Sequence, residues 1–97
     1  MNPEWFAFVI SCIFLVFLLM PTVLYLHGFR FFFYLNEHEP IHVHVKRGDS
    51  EARIVLVPMI DISYCRGFKK NEIRDIIDII TDNYETIIKA WHATFDE

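Results

Sequence analysis

Three of the five histidines of this chain fall within the string Glu37-His38-Glu39-Pro40-Ile41-His42-Val43-His44-Val45. Histidine is the side chain whose ordinary pKa lies closest to neutrality, so a cluster of them can exchange protons or ligate a metal. From Ile41 to Lys46 apolar and polar residues alternate, with Ile41, Val43 and Val45 set against His42, His44 and Lys46. That is the period of a half-buried strand, and it places His42 and His44 on one face, about 7 Å apart along it. Two imidazoles at that spacing can bracket one phosphodiester as base and acid, or share one metal ion. For zinc, His42 and His44 need a third ligand. His38 is the nearest, with Glu37 and the distant His92 as other sources, and no spacing dictates the choice.

The flanking strands must extend that face. Arg47-Gly48-Asp49-Ser50 reads as a turn and Glu51–Val57 as the return strand of a hairpin, ended by Pro58. Pairing Lys46 with Glu51 puts His44 opposite Arg53 and His42 opposite Val55. Upstream, Thr22-Val23-Leu24-Tyr25-Leu26 and Phe29–Leu35 are rich in strand formers, and His27-Gly28 supplies the turn between them. If Phe29, Phe31, Phe33 and Leu35 face the core, Arg30, Phe32 and Tyr34 face the other way. The non-core face then carries Arg30, Tyr34, His42, His44, Lys46 and Arg53, an arrangement that a one-residue slip in register would destroy. The plain alternative is a solvated face, since antiparallel sheets often leave one side in water. Ile60, Ile62 and Tyr64 alternate with Asp61 and Ser63, which suits a short edge strand.

From Lys69 the period becomes helical. Ile73, Ile76, Ile77 and Ile80 form one stripe, continued by Tyr84, Ile87, Ile88, Trp91 and Phe95. A single helix of that length would measure about 40 Å, more than so small a domain can cover. Thr81-Asp82-Asn83 are weak helix formers and Asp82 with Glu85 fits a capping box, so two helices with a break near Asp82 are expected. The fold class is α+β: a small antiparallel sheet of three to four strands followed by two helices packed on one face.

The N-terminal run Trp5–Leu19 holds no charge, and none follows until Arg30. Fifteen residues span only about 22 Å, short of a bilayer core of about 30 Å. Extended to Leu26 the run is long enough to cross. Residues 1–19 are therefore read either as a membrane anchor, reaching to 26 if it spans, or as an over-extended start before a domain covering 20–97. With every Lys and Arg C-terminal to the run, an anchored domain would be cytoplasmic, held to the inner membrane through residues 5–26.

With 97 residues there is room for one domain. A hydrophobic fraction of 54% supports a packed core and excludes a disordered or collagen-like chain. A net charge of −4 argues against duplex DNA as partner. Cys12 and Cys65 are far apart and form no CxxC pair, so they read as free thiols. Phe31-Phe32-Phe33 could stack bases, although a core strand explains at least two of them.

Met20-Pro21-Thr22-Val23-Leu24, Gly28-Phe29-Arg30-Phe31-Phe32-Phe33-Tyr34, then Asn36-Glu37-His38, Pro40 and His42-Val43-His44-Val45, resemble the bacterial domain-of-unknown-function 4160 family. Gly67-Phe68, Glu72-Ile73, Asn83 and Ala90-Trp91 continue the resemblance, which covers about residues 20–97. It implies a small bacterial protein encoded beside a second small protein, in an arrangement like a toxin–antitoxin pair. It carries over no catalytic residue. Lys69 stands where a capping Ser is common in relatives.

Two functions are compatible with these residues. One is an RNA-directed toxin that needs no metal, with His42 and His44 as base and acid, Arg53 or Arg30 as the cation on the phosphate and Tyr34 as a positioning hydroxyl. The other is a protein-binding module with no catalysis, whose His cluster is structural or, with His38, His42 and His44 as ligands, binds zinc.

Overall fold

The computed structural model describes residues 22–35, 37 and 39–96. The anchor expected at 1–19, Cys12, and the expected ligand His38 lie outside the described residues. Five strands form one antiparallel sheet in sequence order: β1 (Thr22–Leu26), β2 (Phe29–Phe32), β3 (His42–Arg47), β4 (Ser50–Val55) and β5 (Asp61–Arg66). Two helices follow, α1 (Lys70–Asp82) and α2 (Tyr84–Phe95). The sheet has one strand more than the upper expectation, because the segments at 22–26 and 61–66 both pair. Residues 22–26 thus belong to the sheet. No helix among the described residues is long and apolar enough to cross a membrane.

The first hairpin turns on His27 and Gly28, both at positive φ (54° and 80°). Such a pair gives the backbone twist that two-residue hairpins need, and Gly28 supplies it without a side-chain penalty. The hairpin of β3 and β4 has the register read from the alternation: Lys46 opposite Glu51, His44 opposite Arg53 and His42 opposite Val55.

Phe29, Phe31, Phe33, Val43, Val45, Ala52 and Ile54 line the helix side of the sheet, and all are buried. The helices return Ile76, Ile79, Ile80, Ile87 and Trp91 to that core. Leu35, expected inward, is instead exposed, because β2 ends at Phe32 and the chain leaves the sheet before the alternation reaches it.

The break between the helices falls at Asn83, as the weak helix formers there suggested. The capping box expected from Asp82 and Glu85 is absent. Asn83 is the capping residue, and its side-chain amide turns back to donate to the Ile79 carbonyl (2.8 Å). At the start of α1 the Lys69 N–H donates to Glu72 Oε1 (2.9 Å). A lysine side chain has no acceptor to return the favour, so the cap is one-sided. That bond, helped by the neighbouring Arg47 guanidinium and opposed by desolvation, holds the Glu72 carboxyl below its ordinary pKa. Arg47 pairs with Glu72 and lies 4.1 Å over the Phe29 ring, tying α1 to the sheet. The Tyr84 hydroxyl donates to the Leu56 carbonyl (2.8 Å) and ties down α2.

Gly67, between β5 and α1, has φ +88°, and a Cβ there would lie 2.6 Å from Ser50 Oγ and 3.2 Å from its Cα. Gly67→Ala is expected to cost about 1–3 kcal/mol, through both the left-handed backbone and the clash. Urea denaturation against wild type measures it, and an unchanged midpoint would show that the junction relaxes freely.

Candidate functional site

His42 and His44 face away from Ile54, as the register requires, yet both are buried, His42 to 1% and His44 to 7% relative exposure. The expected solvated face is therefore closed at this end. β2 pairs with β3 only as far as Phe32 opposite His44. Past that point the chain loops back and sets the Glu37 carboxylate against both imidazoles. The side of His42 that β2 no longer flanks is filled from α2 by Trp91, ring centroids 5.3 Å apart. Phe32 stacks on His44 (5.6 Å) and the Tyr34 ring meets it edge-on (4.6 Å). The two imidazoles lie 5.1 Å apart.

The polar atoms of the pair converge on one carboxylate. His44 Nε2 is 3.1 Å from both Glu37 oxygens, and His42 Nε2 contacts Glu37 Oε2. On the other side of its ring, His42 Nδ1 donates to the Pro40 carbonyl (2.7 Å). Both nitrogens of His42 thus face acceptors. A neutral imidazole has one N–H to give, and here two acceptors face it.

Desolvation pushes the His44 pKa below the ordinary histidine value. The hydrogen bond and charge of Glu37 oppose it, and His42 adds to it. Burial pushes the Glu37 carboxyl up, but the hydrogen bonds and charges of His44 and His42 outweigh burial and hold it below its ordinary value.

Of the expected site residues, the structure brings together His42, His44 and Tyr34. The Tyr34 hydroxyl donates to Glu51 Oε1 (3.4 Å). Burial, then the charge and hydrogen bond of Glu51, raise its pKa. Arg30 shares the face but lies over the outer side of Phe32, 4.4 Å from the ring centroid, and its Nε donates to Thr22 Oγ1 (2.8 Å). Arg53 turns toward β5, where Nη1 donates to Ser63 Oγ (2.8 Å). His92 lies exposed on α2, paired with Asp96 (2.7 Å). Phe31, Phe32 and Phe33 are all buried, so no aromatic platform for bases is formed by them.

Among the described residues the cluster that could hold a metal is Glu37, His42 and His44, with ligand atoms all within 4.8 Å of one another. Sequence reasoning named Glu37 only as an alternative third ligand. It missed the Pro40 carbonyl and the aromatic walls, because a loop that folds back over a sheet leaves no periodic signal. A separate groove of about 380 Å³ between the β1–β2 turn and α1, lined by His27, Arg47, Asp75, Asp78 and Asp82, does not touch His42 or His44.

Fold and site together define a small α+β domain in which a five-stranded meander carries a closed His–His–carboxylate cluster on the face opposite its helices. Residues 28–92 match the family described as "Domain of unknown function (DUF4160)". The match covers about two thirds of the chain, and the chain belongs to that family. No curated protein and no solved structure matches it.

Proposed function

We propose that this protein is the binding half of a small two-protein bacterial pair, of the toxin–antitoxin type that its family resemblance implies, and that its partner docks on β5. The observation that carries this reading is the state of that strand. Among the described residues β5 is the last strand of the sheet, and all six of its residues are exposed. Its outer backbone edge can accept a further strand, and such edges are where proteins add one from a partner. Beside the edge stand four exposed apolar side chains: Val57 (39%), Met59 (70%), Ile62 (38%) and Tyr64 (47%). A free edge flanked by large apolar groups is a liability for a lone protein and an asset for one that works in a complex.

The test is co-expression with the protein encoded by the neighbouring gene, followed by purification and titration calorimetry. The expected result is a complex that the paired substitution Ile62→Lys and Tyr64→Lys weakens about 100-fold, because edge lysines block strand addition. The fold should persist, since exposed substitutions of this kind usually change stability by no more than about 0.5 kcal/mol. Full-strength binding by the doubly substituted chain would overturn the reading.

A second reading, an RNA-directed toxin, draws on the convergence of His42, His44 and Tyr34 on one face. It requires growth arrest and cleaved total RNA on induced expression without the neighbouring gene, both lost in His44→Gln. Intact RNA under those conditions removes it.

A further inference from the structure

We propose that Glu37, His42 and His44 bind a divalent transition-metal cation of the zinc class, with Glu37 Oε2 and the Nε2 atoms of the two histidines as ligands. The site rests on geometry that is independent of the docking surface. Three observations carry it.

The first is the donor set. Two imidazole nitrogens and one carboxylate converge with all ligand atoms within 4.8 Å. A tetrahedral ion with bonds of about 2.0–2.2 Å holds its ligand atoms about 3.4 Å apart, so it is admitted when the Glu37 carboxylate swings back from His42 by about 1 Å. Two histidines and one carboxylate, with a fourth position left for water, are the ligands of many zinc sites and of the facial triads that hold ferrous iron.

The second is hydrogen-bond arithmetic at His42. Its Nδ1–H is committed to the Pro40 carbonyl (2.7 Å), which leaves Nε2, in contact with Glu37 Oε2, as the ligand atom of the ring. A second-sphere carbonyl on the far nitrogen is what orients a metal-ligating histidine and fixes its tautomer. Nε2 and the carboxylate oxygen are both ligand atoms, and a cation placed between them bonds to both. His44 Nε2, 3.1 Å from the same oxygens, supplies the third donor.

The third is the surroundings. Trp91 walls His42, while Phe32 and Tyr34 wall His44, so both rings are held in place without a metal. The side chain of Glu37 keeps 29% of its surface exposed. The carboxylate is therefore the side from which an ion enters and on which a water ligand would sit.

The test uses the full-length untagged chain, stripped with EDTA and then titrated with Zn²⁺ and, separately, with Co²⁺. Calorimetry should give one ion per chain. Co²⁺ should develop the visible ligand-field bands of a low-coordinate nitrogen–oxygen site. The melting temperature should rise with Zn²⁺ concentration, because the ion binds the folded state. Glu37→Gln keeps the size and hydrogen-bonding reach of the side chain but removes its charge. It should weaken binding about 100-fold, the upper end of what disturbing even a second-sphere partner costs. His92→Ala, at the exposed histidine on α2, should leave binding unchanged. His44→Gln keeps a polar side chain at its position, and its circular dichroism reports whether the fold survives; a folded His44→Gln should lose binding as Glu37→Gln does. The proposal is overturned if the wild-type chain takes up no Zn²⁺ at 100-fold molar excess. It is equally overturned if Glu37→Gln binds as tightly as wild type, or if His92→Ala is the variant that abolishes uptake.

Discussion

Trp91→Ala is expected to remove about 3–5 kcal/mol of stability, the usual cost of deleting a large buried aromatic. A domain of this size has only about 5–15 kcal/mol in total, so the variant should sit at or near the edge of unfolding. The residue is 2% exposed and belongs to the core. Its ring meets Phe33 edge-on at 5.4 Å, Phe95 at 4.2 Å and His42 at 5.3 Å. It therefore joins three parts of the fold: the end of β2, the last turn of α2 and the histidine pair. Truncation leaves a cavity that these neighbours cannot fill, because the sheet fixes His42 and the core fixes the buried Phe33. Trp91→Phe retains much of the buried area and should recover more than half of the loss. Urea denaturation followed by circular dichroism measures both variants. A loss under about 1 kcal/mol for the alanine variant would mean that α2 contributes little to the core.

How far such packing could be foreseen differs from element to element. The register of the β3–β4 hairpin was legible, because a one-residue slip would turn Val43 and Val45, or Ala52 and Ile54, away from the core; its ends were not, since Arg47 and Ser50 pair rather than lie in the turn and β4 stops at Val55. The helices were legible from the isoleucine stripe, and the break at Asn83 from three poor helix formers in a row. The burial of His42 and His44 was not. Alternation says which face a side chain takes, but not what covers that face, and here the cover is a segment between two strands with no period of its own. Phe32 offered the one available hint: a third phenylalanine on the polar face implies that part of this face is apolar. The choice of Glu37 as the group that meets both imidazoles depends on the path of residues 33–41, and that path is set by tertiary packing.

Burial also changes what substitution at the site should do. A solvated His42 could be truncated for about 0.5 kcal/mol or less. The enclosed His42 should cost about 2–4 kcal/mol as His42→Ala, for two separable reasons. The first is the cavity beside Trp91. The second is the loss of a donor to the Pro40 carbonyl and of the partner that Glu37 Oε2 faces.

Glu37→Ala should cost less, about 1–2 kcal/mol, because this carboxylate is partly exposed and water can stand in for part of what it does. The informative quantity is the double variant. If the carboxylate and the imidazoles form one network, removing either already forfeits most of the shared term. The double variant should then be less destabilised than the sum of the singles by at least about 0.5 kcal/mol. Four proteins, denatured in urea with EDTA present, give that coupling energy directly. Additivity within about 0.3 kcal/mol would show two independent residues that merely lie close together. The walls of Phe32, Tyr34 and Trp91 would then hold the histidines by packing alone, and Glu37 would have no structural hold on the loop that carries it.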